Sequence, residues 1–112
     1  MLSKKYRFHS RGGVSYTYKK GHTVFSSKEI TIIYNENPRK FLRFAVVVPK
    51  KVQKSAVNRN KIRRRVYEAL RLEIKENTLF PKTGDFIILV HSKSLMTLDF
   101  SYLRALVSSM IK

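Results

Sequence analysis

The chain has 112 residues, enough for one domain with a single modest core. Its 24 Lys and Arg against 7 Asp and Glu give a formal charge of +17, and a 43% hydrophobic content is too high for a disordered basic tail. The charge therefore belongs to a folded surface suited to a polyanionic partner, while the lack of cysteine excludes disulfides and thiolate metal sites.

In chain order, residues 1–13 are basic and end in glycine, and are expected to form a flexible arm. This start lacks the apolar centre of a signal peptide. No apolar run approaches the ~20 residues of a membrane span, so a cytoplasmic protein is expected. Residues 14–20 leave two alternatives. Val14, Thr17 and Tyr18 share one helical face, but the β-branched and aromatic content also fits a strand; Gly21 ends either. EITIIY (29–34) alternates Ile30, Ile32 and Tyr34 against Glu29, Thr31 and Ile33, which predicts a strand. NENPRK (35–40) is a turn. LRFAVVVPK (42–50) predicts a second strand, ended by Pro49 because proline cannot donate to a ladder.

KKVQKS (50–55) is a cationic loop closed by Ser55 as a helix N-cap. A long helix follows, from about Ala56 to about Asn77, with Ile62, Val66, Leu70 and Ile74 as its apolar stripe. LFPKTGD (79–85) is a turn, and FIILV (86–90) is a strand buried on both faces. Thr97 is predicted to cap a closing helix whose core stripe is Phe100, Leu103, Val107 and Met110. Strand, helix and strand over 42–90 predict an α+β fold built as a two-layer α/β sandwich, in one domain spanning 1–112.

The long helix carries the informative signal. AVNRNKIRRRVYEALR (56–71) holds five arginines and a lysine. Opposite its apolar stripe lie Asn60, Arg64, Tyr67 and Arg71, flanked by Lys61 and Arg65, while Arg59 and Arg63 fall near the buried edge. A merely solvated face would mix acids with bases so that neighbours four apart attract. Between residues 37 and 67 there are eleven Lys or Arg and no Asp or Glu. Each like-charge pair at i,i+4 costs a few tenths of a kcal/mol, and a phosphate backbone relieves that repulsion by releasing its condensed counterions. Lys50, Lys51, Lys54, Arg59, Asn60, Lys61, Arg63, Arg64, Arg65, Tyr67 and Arg71 are therefore the expected nucleic-acid-binding residues.

This segment, preceded by LRFAVVVPKK, resembles the signature of the bacterial ribonuclease P protein component. That family has a strand ending in Ser-Lys-Lys, a glycine loop, and Ala-Val-x-Arg-Asn-Arg-x-Lys-Arg on a helix. Lys50, Lys51, Ala56, Val57, Arg59, Asn60 and Arg64 match; Lys61 and Arg63 stand where the family has arginine and lysine. Pro49 replaces the serine, the loop lacks its glycine and is one residue longer, and Tyr67 stands where an arginine commonly precedes the glutamate, here Glu68.

The resemblance implies a four-stranded mixed sheet, the long helix in a left-handed β–α–β crossover, and helices at both ends. It implies a subunit that binds a catalytic RNA and the 5′ leader of precursor tRNA, one protein per RNA and monomeric when free. The RNA supplies the chemistry with Mg²⁺, and no cofactor is bound by the protein alone. It also implies a leader cleft between the long helix and the sheet, lined by Tyr18, Tyr34, Phe44 and Arg63. Stacking of bases on aromatics suits such a cleft, and core packing is the competing placement, above all for Phe44.

His9, His22 and His91 are dispersed, and no paired carboxylates, metal-ligand spacing or nucleophile arrangement appears, so no catalytic residue is expected within the chain. Two other classes compete. A structural RNA-binding protein such as a ribosomal protein shares the composition but lacks the Arg59–Asn60 signature. A DNA-binding regulator would place the basic helix in a major groove, but strands on both sides of it argue for a sheet-backed domain.

Overall fold

The computed structural model describes residues 20–36 and 42–109. Its elements run β1 (His22–Ser26), β2 (Ile30–Asn35), β3 (Leu42–Val47), α1 (Ala56–Glu76), β4 (Gly84–Val90), a 3₁₀ turn (Lys93–Met96) and α2 (Phe100–Ser108). The predicted arm 1–13, the element at 14–20 up to Lys19, the turn residues 37–41 and Met110 lie outside the described residues.

The strands form one mixed sheet in the order β1-β2-β4-β3. β1/β2 and β2/β4 are antiparallel, while β3/β4 are parallel with α1 as the crossover between them. Parallel neighbours need such a crossover, because the end of one strand and the start of the next lie a full strand length apart. The strand-helix-strand architecture is thus as predicted, with a fourth strand that the sequence pattern did not reveal. β1 is five residues long, and its register shifts between Thr23 and Phe25. A bulge breaks the two-residue period by which a strand is recognised.

One face of the sheet carries the main core. Ile30, Ile32, Leu42, Phe44, Val46, Phe86, Ile88 and Val90 meet Ile62, Val66, Ala69 and Leu70 of α1 and Leu103, Leu106 and Val107 of α2. The other face holds a smaller cluster of Ile33, Ala45 and Ile87, with Val47 against it. β4 is continuously apolar from Phe86 to Val90 because it is central and packed on both faces. β3 ends at Val47, two residues before Pro49, whose carbonyl accepts from the Val52 and Gln53 amides and turns the chain toward α1.

Ser55 caps α1 as expected, accepting from the Asn58 amide at 3.2 Å. Thr97 does not cap α2. It closes the 3₁₀ turn through its amide to Ser94 O, and Asp99 takes the N-cap position. The 3₁₀ turn absorbs the residues in which Thr97 had appeared as the first polar stop before an apolar stripe.

Buried or half-buried carboxylates tie the layers together. Glu29, predicted to begin the strand on the face opposite Ile30, Ile32 and Tyr34, is buried just before β2 and accepts from Ser27 and from the Tyr102 hydroxyl of α2. Arg104 of α2 pairs with Glu73 and Glu76 of α1, and Arg43 of β3 grips Asp85 of β4 with two parallel hydrogen bonds of 2.9 and 2.8 Å.

Gly84 opens β4 at φ +115°, and a Cβ there would overlap the Tyr34 ring. Gly84→Ala is expected to destabilise the domain by about 1–3 kcal/mol through backbone strain and displacement of that ring. Urea denaturation reads this directly, and an unchanged midpoint would show that the close approach is not needed.

Burial by itself would raise the pKa of Glu29, but the hydrogen bonds from Tyr102 and Ser27 outweigh it and hold the value below 4.5. A lowered carboxyl pKa stabilises the fold above the unfolded-state value, and that contribution is lost as pH falls through the folded-state value. Tyr102→Phe is expected to lower stability near neutrality, with the difference from the parent chain shrinking as pH falls and Glu29 becomes protonated. Circular dichroism during an acid titration checks it.

Candidate nucleic-acid interface

The buried stripe of α1 (Ile62, Val66, Ala69, Leu70 and Glu73) sets its rotation, so the residues between those positions are forced outward. Asn60, Lys61 and Arg64 are exposed, and so are Lys50, Lys51 and Lys54 in the loop before the helix. No acid occupies the first turn of α1. The positive end of the helix dipole therefore adds to the lysines of the loop, and the region as a whole attracts anions.

The arginines divide by what they touch. Arg59 folds back and donates to the Gln53 and Lys54 carbonyls at 3.1 and 2.8 Å, which fixes the loop on the helix. Arg63 donates to Asn60 Oδ1 at 2.8 Å. Arg71 pairs with Glu68 one turn back, and that hydrogen bond holds Glu68 below its ordinary pKa. Among the described residues, Arg64 has no partner in the chain.

Arg65 departs from its expected role. It points toward the 3₁₀ turn and donates to the carbonyls of Leu95 and Leu98, so it acts as a strut between α1 and the segment leading into α2. The spacing of arginines along a helix gives no sign of such carbonyl acceptors thirty residues later. Tyr67 is half-buried, with its ring packed on the main core, so it does not stand free on the ridge.

Among the described residues, Phe44, Tyr34 and Arg63 do not come together in one cleft between helix and sheet. Phe44 is fully buried, with its ring stacked on Phe86 at 5.6 Å and against Phe80 at 6.2 Å. The space beneath α1 is filled by core side chains, because a strand position facing an apolar helix stripe is worth most when dry. Tyr18 lies outside the described residues. Tyr34 is half-buried near the end of β2, where it lines a pocket with His22, Pro81, Lys82 and Phe86; neither Phe44 nor Arg63 lines it. His22 went unassigned from sequence, because its partners lie 12 or more residues away.

Comparisons with known proteins fit this arrangement. The family model for ribonuclease P matches residues 2–112. The chain belongs to the ribonuclease P protein family. The ribonuclease P protein component of Buchnera aphidicola subsp. Baizongia pistaciae is 34% identical over 94 residues, covering 84% of this chain and 78% of that relative. Two solved structures share the fold. The RNase P protein of Thermotoga maritima has a TM-score of 0.77 at 23% identity, covering 95% of this chain and 94% of its own. That of Staphylococcus aureus has a TM-score of 0.73 at 21% identity, covering 96% and 93%. Membership makes the chain a protein subunit of a tRNA-processing ribonuclease, and the ribosomal and DNA-regulator alternatives give way. Among the described residues, no helix is long and apolar enough to cross a membrane, and no group of three or more His, Cys, Asp or Glu could hold a metal ion.

Two substitutions separate the ridge from the strut. Arg64→Ala is expected to leave stability nearly unchanged while weakening RNA binding by about 1–2 kcal/mol, one charge-assisted contact. Its salt slope should flatten by roughly one unit or less. Arg65→Ala should instead lower stability by about 1–3 kcal/mol, because the Leu95 and Leu98 carbonyls lose their donors. Thermal melts and salt-dependent RNA titrations of both variants measure the contrast.

Proposed function

We propose that the chain binds the catalytic RNA of ribonuclease P through the exposed cations of the 50–54 loop and the first half of α1. There it promotes removal of the 5′ leader from precursor tRNA. The observation that carries this reading is that, among the described residues, no carboxylate pairs with the cations of the loop and the first turns of α1. Among the described residues, salt bridges engage only Arg43, Arg71 and Arg104, all away from the loop and the first turns of the helix. Lys50, Lys51, Lys54, Lys61 and Arg64 are exposed and, among the described residues, have no carboxylate partner. A polyanion that wraps these residues exchanges condensed counterions for fixed cations, which is the main source of affinity in such complexes.

In this reading the chemistry belongs to the RNA and to Mg²⁺ held by it, and the protein contributes affinity and charge screening. Screening matters most where metal is scarce, because phosphates then repel one another most strongly. The leader of precursor tRNA is the second ligand, and the protein acts in the cytoplasm as one copy per RNA. Of the residues first assigned to the leader, Tyr34 is the one whose described placement leaves part of its ring and its hydroxyl open to a ligand.

Reconstitution tests the proposal. Added to the cognate catalytic RNA at low Mg²⁺, the chain should raise precursor-tRNA cleavage severalfold, and the gain should shrink as monovalent salt rises. Cleavage that is unchanged by the protein at every Mg²⁺ concentration would overturn it.

A further inference from the structure

The loop between β3 and α1 carries Lys50, Lys51 and Lys54, three like charges within five residues. Left to itself such a segment repels its own charges and spreads. Bonds from several directions hold it instead. The Pro49 carbonyl accepts from the Val52 and Gln53 amides at 3.0 and 3.2 Å, which closes a turn, and Val52 packs against the main core. Gln53 Oε1 accepts from the Ser55 amide at 3.2 Å, and Gln53 Nε2 donates to Met96 Sδ at 3.5 Å, tying the loop to the 3₁₀ turn. From the helix side, Arg59 Nη1 alone donates to both the Gln53 and the Lys54 carbonyls.

Gln53 and Arg59 are both half-buried, whereas Lys50, Lys51 and Lys54 on the segment they hold are exposed. The tether and the charges are thus carried by different residues. A loop that is mobile in the free protein must be ordered when it binds, and that cost subtracts from affinity. A loop already fixed by its own chain avoids the cost. Gln53 carries no charge, so its place in this network cannot be a response to a phosphate.

We propose that Arg59 and Gln53 are positioning residues for RNA binding, which preset the backbone of residues 50–55 so that Lys50, Lys51 and Lys54 meet phosphates as one unit. Neither side chain touches the RNA. The proposal rests on the reading that the loop lysines contact RNA, and it assigns the arginine of the Arg59–Asn60 signature to the loop instead of to a phosphate. A loosened loop still brings its lysines to phosphates once the complex forms. Losing the tether therefore lowers affinity without removing an ionic contact.

A double-mutant cycle on the affinity of the full chain for the cognate catalytic RNA tests this. Arg59→Ala is expected to weaken binding about fivefold, with a salt dependence as steep as the parent's. Gln53→Ala, which changes no charge, should weaken it about threefold. In a chain that already carries Lys50→Ala, Lys51→Ala and Lys54→Ala, either change should weaken binding by less than about twofold, because no lysine is left to position. In the free protein both variants should speed hydrogen exchange at the Val52, Gln53 and Ser55 amides while the interior of α1 exchanges as in the parent. A salt slope flatter by about one unit for Arg59→Ala would put that guanidinium on a phosphate and overturn the proposal. Unchanged exchange in the loop would overturn it too. If the triple lysine variant binds weakly but Arg59→Ala costs the same factor in both backgrounds, the positioning role alone fails. If the triple lysine variant binds as tightly as the parent, the proposal falls together with the reading beneath it, so the two failures are distinguishable.

Discussion

The structure depends on the apolar stripe of α1 outweighing the repulsion of its own outer face. Ile62, Val66, Ala69 and Leu70 are fully buried against the sheet and α2. Burying a large aliphatic side chain is worth about 1.5–3 kcal/mol, against a few tenths for each like-charge pair on the surface. The helix is therefore held from beneath and by its Ser55 cap, and its exposed side needs no internal compensation. That freedom allows a dense row of cations to exist without acids among them.

Glu29, Glu73, Glu76 and Asp85 are placed elsewhere, and each placement has a structural consequence. Glu29 fastens β2 to α2 through Tyr102, Glu73 and Glu76 hold Arg104, and Asp85 holds Arg43 across the parallel strand pair. These links lie at the seams between elements, where desolvated or half-buried charge pairs fix orientation more than they add stability. Carboxylates used at seams are unavailable to the ridge. The molecule thus separates its charges in space, with paired ones between layers and unpaired ones facing out.

The arginines show how far residue type underdetermines role. Arg59, Arg63, Arg64 and Arg65 lie within seven residues of one another on a single helix. One braces the preceding loop, one bonds a neighbouring asparagine, one stands free among the described residues, and one is a strut to a distant turn. A guanidinium has five donors in a fixed fork, so a carbonyl within reach captures it whatever the local sequence suggests. The pocket near the end of β2 follows the same logic. Tyr34 and His22 meet only because β1 and β2 pair, and the ring keeps its place only because residue 84 has no side chain.

The sequence by itself determined the long helix, its cap, its buried stripe and the central strands, because these follow from local periodicity and capping chemistry. It also determined the excess of positive charge and the signature that marks the family, since both are written in consecutive residues. Tertiary structure decided the rest. β1 escaped notice because a bulge breaks its alternation, and Thr97 gave up its capping role to a 3₁₀ turn that no stripe announces. Phe44 went to the core and Tyr34 to a surface pocket, although both are aromatic residues in strands that flank β4. Alternation says which side chains share a face, but only the packing of one layer on another says which part of that face stays open.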